Sequence, residues 1–284
     1  MSKNSLLSLL AIISLSGLVS CGGGAKYSKL QGSTMGTYYS ITYGEGDSCS
    51  PQKKAVDNLL AHINSVMSTY EPDSELSLIN QNLQAGEYAI SQELHLVLGA
   101  SLTVWQETRG AFDVTIGPLV NLWGFGPTNA EETPTEFEQE AVAERIGMEN
   151  LELASNSIVK KQPNLFIDLS AIAKGYAVDR VAEKLSSLGC KDYLVDIGGE
   201  SFAKGQNRAG TPWKIGIEVP SPERRGIQRV LALSDLAIAT SGDYRNFRET
   251  AVGRVSHVMD PRTKLPATSN IVSATVLHRS AMMA

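Results

Sequence analysis

The chain has 284 residues, 42% of them hydrophobic, enough to bury one large core or two smaller ones and too many for a disordered polymer. Its 30 acidic and 25 basic residues leave a net charge of −5 with no dense basic run, so the partners indicated are small molecules or proteins and no nucleic acid. Three cysteines are too few for a disulfide-built scaffold and lack the paired spacing of a zinc site.

At the N-terminus a lone Lys3 precedes an apolar run from Leu6 to Val19, the core of a signal peptide over 1–20. The run is shorter than the roughly 20 apolar residues that span a bilayer. It ends Leu18-Val19-Ser20-Cys21, which resembles the lipobox of bacterial lipoproteins, where cleavage before the cysteine is coupled to its acylation. The expectation is a mature chain lipidated at Cys21, tethered over 21–30, and anchored by lipid alone to a bacterial membrane, facing the periplasm. A soluble secreted protein with an incidental cysteine is the alternative. In an oxidising compartment Cys49 and Cys190 either pair or stand as unrelated residues.

Thr37 to Tyr43 alternates as a strand, and Gly44 to Asp47 reads as a turn. Ser50 as cap and Pro51 at the first position predict a helix whose buried face is Ala55, Val56, Leu59, Leu60, Ile63, Val66 and Met67. A second helix runs from Ser91 to about Arg109, with Gly110 as its stop, and the polar loop Tyr70 to Ser74 lies between the two. Gly124 to Pro134 is a loop, followed by a helix over about 135–146 and strands at Leu151–Leu153, Ser157–Lys160 and Leu165–Ile167. Lys174 to Leu188 is the most helix-like run of the second half. Strands return at Tyr193–Ile197, Trp213–Val219, Leu231–Thr240 and Ile271–Leu277. Strands and helices mix without strict alternation, which predicts an α+β fold with mixed or antiparallel sheets and packed helices.

Four segments hold polar groups that a plain core does not need. In Asp168 to Tyr176 an apolar stretch delivers Asp168 to a helix mouth, where free N–H groups suit an anion; capping by Asp168 or Ser170 is the equal alternative. Lys174 in the first turn opposes the helix dipole and hints at an anion to be met. Asp196 to Glu200 contains Gly198-Gly199, a close-approach segment or a simple tight turn. Ala239 to Tyr244 gathers hydroxyls, Gly242 and Asp243 after a strand. Ser256 to Pro261 sets His257 beside Asp260, and histidine is the side chain suited to take a proton from a hydroxyl; a structural histidine is the other reading. Walker, His-Glu-x-x-His and Gly-x-Ser-x-Gly signatures are absent.

Together with Met35-Gly36-Thr37, Met67 to Leu76 and Gly110 to Thr115, these segments resemble, in order, the ApbE family of FAD:protein FMN transferases, from about Gln31 to the C-terminus. The resemblance implies an ApbE-like, T-fold-like α+β architecture over 31–284. It also implies FAD held by Met35, Tyr70, Ala111, Phe112, Asp113, Asp168, Lys174 and Met259, some relatives carrying Glu at the Lys174 position. The implied reaction is protein flavinylation: a threonine hydroxyl of an acceptor attacks the FMN-side phosphorus of FAD and AMP leaves. His257 is assigned as base. Mg²⁺ is implied, with the Ala171 carbonyl as one ligand and an Asp and a Thr from a C-terminal helix. The sequence ends at Ala284 before that Asp-x-x-x-Thr, so the expectation is poor metal binding and slow or no activity. Implied acceptors are redox subunits of the sodium-pumping NADH:quinone oxidoreductase and the Rnf complex. An FAD pyrophosphatase and a non-catalytic FAD-binding lipoprotein stay open as alternatives.

Overall fold

A computed structural model describes residues 26–46, 49–127, 132–244, 246–250 and 253–284. The expected signal peptide and Cys21 lie outside them.

In chain order the elements are β1 (Tyr27–Thr34), β2 (Thr37–Gly44), α1 (Lys53–Met67), α2 (Glu75–Gln81), β3 (Gly86–Ala89), α3 (Gln92–Glu107), α4 (Gly117–Leu122), α5 (Glu136–Ala143), β4 (Leu151–Leu153), β5 (Ser157–Lys160) and α6 (Ala173–Ser187). The second half continues with β6 (Tyr193–Ile197), β7 (Glu200–Lys204), β8 (Trp213–Glu218), β9 (Ile227–Leu233), β10 (Leu236–Gly242), β11 (Phe247–Thr250), β12 (Gly253–Ser256), β13 (Met259–Asp260), β14 (Leu265–Pro266) and β15 (Ser273–His278). Every strand pair is antiparallel. With six α-helices among the described residues packed on these sheets, the α+β expectation holds.

The main sheet has six strands in the order β1-β2-β6-β7-β10-β15. Period-two alternation places Tyr39, Ile41 and Tyr43 of β2 and Tyr193, Val195 and Ile197 of β6 on one face, all buried. That face packs on α6 through Val178, Val181 and Leu185 and on α1 through Val56, Leu60 and Ile63. The opposite face is covered by the β8–β9 ribbon, where Trp213, Leu233 and Ile238 meet. A smaller cluster of Leu119, Trp123, Val142, Ile146 and Val255 lies under the β11–β12 ribbon.

Cys49 and Cys190 form a disulfide, which settles the question their spacing left open. It ties the start of α1 to the end of α6, and on general grounds such a bond adds about 2–5 kcal/mol.

Several expectations need correction. Residues 27–30 of the tether belong to β1. The first helix begins at Lys53 with Gln52 as an uncapped N-cap, not at Ser50–Pro51, and Ala55 is exposed. Held at Cys49 by the disulfide, the chain spends residues 50–52 reaching α1. Leu165–Ile167 is extended but joins no sheet. Leu231–Thr240 is two strands, because Asp235 at φ 56° turns the chain between β9 and β10. By contrast Ser91 caps α3 as expected, accepting from Leu94 N–H at 3.2 Å, whereas the left-handed residue that ends the helix is Arg109 at φ 53°, with Gly110 one place further donating its N–H to the Trp105 carbonyl at 2.9 Å.

Candidate active site

Asp168 sits at the centre of a wall built from four directions. Asn80, buried on α2, donates its amide N–H to the Ile167 carbonyl at 2.8 Å and accepts from the Ile167 N–H at 2.9 Å. A side-chain amide thus replaces the strand partner that the extended stretch lacks. Asp168 N–H donates to the Val114 carbonyl at 2.7 Å. Gly117, at the start of α4, packs so closely that an added Cβ would lie 2.6 Å from the Phe166 ring and 3.0 Å from the Asp168 Cβ. Lys160, fully buried, closes the end of α2 by donating to the Asn82 carbonyl at 2.6 Å; burial holds its amine below the usual lysine range.

The Asp168 carboxylate does not cap α6. Its Oδ1 accepts from Ser170 N–H at 2.8 Å and Ser170 Oγ at 2.5 Å, and the N-cap position is Ile172 without a side-chain bond. Oδ2 has no partner among the described residues. Tyr70 lies within electrostatic reach: its phenol is pushed up by desolvation first and then by the Asp168 charge. The Tyr70 ring is 64% exposed, on a loop stapled by Ser74 Oγ and Ser77 Oγ donating to the Ser68 carbonyl. An exposed ring on a fixed loop suits stacking against a planar ligand.

The other carried-over residues divide. Met35 occupies the tip of the β1–β2 hairpin at φ 50°, followed by Gly36 at φ 68°, a two-residue turn with both residues left-handed. A side chain held there costs about 1–3 kcal/mol, and such strain is found where a side chain is being aimed. Beside it, Gly198 N–H donates to the Tyr38 carbonyl at 3.0 Å. Ala111 is exposed and Phe112 half-buried against the core. Asp113 engages both carboxylate oxygens within the chain. It is 9% exposed; Oδ1 accepts from Thr115 N–H and Oγ1 at 2.7 and 2.6 Å, and Oδ2 from Met148 N–H at 3.2 Å. Its hydrogen bonds build the loop that presents the Val114 carbonyl to Asp168. Lys174 also finds its anion inside the chain, pairing with Glu200 at 2.6 Å.

The second wall carries His257 and Met259. His257 Nδ1 lies 3.0 Å from the Asn246 carbonyl, so Nδ1 carries the proton and donates it. Nε2 has no partner among the described residues. Phe125 meets the imidazole edge-on at 6.3 Å. Met259 packs on the Leu119–Val255 cluster. One helix joins the two walls, because α4 presses Gly117 against Asp168 while Leu119 packs under the ribbon that carries His257. A pocket of about 410 Å³ connects the Ala239–Tyr244 and Ser256–Pro261 segments, lined among others by Asp243, Arg254 and Ser256.

The implied Mg²⁺ is poorly matched. The Ala171 carbonyl is on an exposed residue and accepts no backbone hydrogen bond among the described residues, which suits one ligand position. No cluster of three Asp, Glu, His or Cys side chains able to hold a metal occurs among them. Asp179 on α6 is occupied by Ser280 Oγ and the Ala281 and Met282 N–H groups. One neutral oxygen does not meet the octahedral shell with carboxylate support that Mg²⁺ prefers, so the residues present do not by themselves fit the ion.

Asn80, Gly117, Phe125, Asn246 and Glu200's pairing were not foreseen as parts of the site. Asn80 did leave a signal, an amide on the apolar face of Leu76 and Ile79.

Residues 35–284 match the model of the ApbE family. The chain is 45% identical over 281 residues to an FAD:protein FMN transferase of Vibrio cholerae, covering 97% of this chain and 84% of that one. It is 34% identical over 262 residues to an FAD:protein FMN transferase of Escherichia coli, covering 90% and 75%. Among solved structures, the flavin transferase ApbE from Vibrio cholerae aligns with a TM-score of 0.84 at 43% identity, over 91% of this chain and 84% of that one. The apo flavinyl transferase ApbE of Pseudomonas stutzeri aligns at 0.82 and 32%, over 91% and 81%. The chain belongs to the ApbE family.

Proposed function

We propose that the chain is an FAD:protein FMN transferase, moving the FMN moiety of FAD onto a target protein. Family membership over residues 35–284 carries this reading. In the finer form proposed here, a threonine hydroxyl of the acceptor attacks the FMN-side phosphorus, His257 Nε2 takes the hydroxyl proton, and AMP leaves. The anchored Nδ1–H supports that role by fixing the tautomer with its base nitrogen free. Tyr70, Met35 and Met259 offer exposed or half-buried faces for the flavin, and Asp168 Oδ2 is a free acceptor for a ring or ribose donor. The chemistry is assigned to the chain's own groups alone. Calorimetric titration with Mg²⁺ is expected to show weak binding; tight binding would mean ligands other than Ala171 complete a shell.

The acceptor proposed is a redox subunit of the sodium-pumping NADH:quinone oxidoreductase or Rnf type. The proposed location is the periplasmic side of a bacterial membrane, through a signal peptide over 1–20 and a lipid on Cys21. The apolar run before Cys21 supports this, as does the Cys49–Cys190 disulfide, which suits an oxidising compartment. Among the described residues no helix is long and apolar enough to cross a membrane. Radioactive fatty-acid labelling that disappears in Cys21→Ala is the expected result.

The direct test is incubation with FAD, Mg²⁺ and a candidate acceptor, followed by denaturing electrophoresis. Flavin fluorescence on the acceptor band establishes transfer. AMP release with a dark acceptor would replace the reading by hydrolysis of FAD.

A further inference from the structure

Among the described residues Lys160 is the only buried cation, 1% exposed at the end of β5, and no carboxylate pairs with it. An enclosed ammonium without a counter-charge is costly to fold, and what offsets that cost here is backbone oxygen and an aromatic face. Nζ donates to the Asn82 carbonyl at 2.6 Å and to the Ile79 carbonyl at 3.4 Å, and stands 5.5 Å from the centre of the Tyr88 ring. Both carbonyls close the C-terminal end of α2, where carbonyls lack partners within the helix and a cation is favoured. A helix of seven residues has little stability of its own, so its ends decide its position. Ser74 fixes the first turn by accepting from Ser77 N–H at 3.0 Å, and Lys160 fixes the last. Leu83, just beyond, is held separately by Asn164 N–H at 2.9 Å. Asn80 lies between the two gripped carbonyls, and its N–H shares a peptide plane with the Ile79 carbonyl. The Asn80 amide in turn fixes the N–H and carbonyl of Ile167, the residue before Asp168. One unbroken series of contacts therefore runs from the Lys160 ammonium to Asp168.

We infer that Lys160 is a positioning residue for the flavin site, setting Asp168 through the end of α2 and Asn80. The inference rests on the transferase reading, in which Asp168 holds FAD, and deepens it. An apolar side chain at 160 leaves the Asn82 carbonyl without its donor and frees the helix end. Asn80 then holds Ile167 less firmly, and the Asp168 carboxylate loses its fixed place. The effect falls on FAD affinity and spares the chemical step, because His257 stands on the other wall, carried by a ribbon that α2 does not support.

The test is a double-mutant cycle of Lys160→Met and Asn80→Leu, read as FAD affinity by flavin fluorescence quenching and as turnover at saturating FAD. Each single change is expected to weaken FAD binding about 5–50-fold, and the double change no more than about 2-fold beyond the larger single, the mark of two residues acting in one series. Turnover at saturating FAD should stay within about 3-fold of the unaltered chain, by the separation of binding from chemistry. Lys160→Gln, which keeps an N–H donor without the charge, carries the same cycle if the methionine variant does not fold. Cys49→Ala with Cys190→Ala supplies the control, a chain destabilised away from α2 that should keep its FAD affinity. Multiplying losses in the double variant, unchanged affinity in Lys160→Met, or an equal loss in the disulfide control overturns the positioning role. An unaltered chain that binds FAD but never passes flavin to an acceptor overturns the transferase reading and leaves the affinity cycle intact; one that binds no FAD overturns both.

Discussion

Asp168 and His257 reach the site from supports of different kinds. Around Asp168 the backbone is held on both sides, by both amide atoms of Asn80 and by the Val114 carbonyl, with Gly117 pressed against it and the main core behind. His257 instead follows a four-residue strand in a two-stranded ribbon, above a small cluster and outside the six-stranded sheet. The ribbon is tied to the rest of the molecule by Arg248 donating to the Trp123 carbonyl, and the hairpin after His257 by Lys264 donating to the Ala143 carbonyl. The contrast separates two demands. On the roles proposed above, a ligand-holding group gains from a support that cannot yield, whereas a proton-transfer group must admit an acceptor protein.

The largest effect expected from this division is at His257. His257→Ala should lower transfer by about 10²–10⁴-fold while FAD affinity, read by flavin fluorescence quenching, stays within a few fold. Equal losses of affinity and turnover would mean that the ribbon also holds FAD. Next comes the disulfide behind the rigid wall: Cys49→Ala with Cys190→Ala should lose about 2–5 kcal/mol in guanidinium unfolding, and reductant should no longer change the midpoint. Asn80→Leu should cost about 1–3 kcal/mol by stranding the Ile167 N–H and carbonyl, and should weaken FAD binding more than it slows the chemical step. A variant with unchanged FAD affinity would show that Asp168 keeps its place without Asn80.

The smallest effect is a pH slope. Tyr176 on α6 donates to Glu93 at 2.9 Å, and burial, with Glu93 second, pushes its phenol well above the ordinary 10.0. The unfolded chain therefore releases this proton first. Stability from Tyr176 is complete below about pH 10 and falls as pH rises further. Tyr176→Phe should flatten that alkaline decline in urea midpoints measured from pH 8 to 11, at a cost of about 1 kcal/mol near neutrality. An unchanged slope would place the alkaline lability elsewhere.

Much of the scaffold was legible because it depends on periodicity and short-range stereochemistry. The alternation of β2 and the Ser91 cap are local statements that the structure repeats. The site was legible mainly as motifs. Physical reading alone did not separate Asp113, which spends its carboxylate on Thr115 and Met148, from Asp168, which keeps one oxygen free. Both are aspartates beside apolar runs, and what distinguishes them is which backbone N–H groups arrive from residues about 35 positions away, in the case of Met148, or next door. The Lys174 anion was anticipated as a ligand because a lysine in a first helical turn is unfavourable alone; only tertiary structure shows Glu200 as its partner.

The disulfide has a consequence for the order of assembly. Cys49 and Cys190 are separated by 141 residues, and a comparably long stretch of chain separates the β1–β2 hairpin from β6, the strand it must pair with. Made from its N-terminus, the chain presents Tyr39 and Ile41 long before Tyr193 and Val195 exist to cover them. The hairpin therefore waits, apolar face open and Cys49 reduced, until most of the protein has emerged. Folding of this sheet is a late, long-range event, and a nascent chain stalled before Cys190 is the species most prone to aggregate or to cross-link through the wrong thiol.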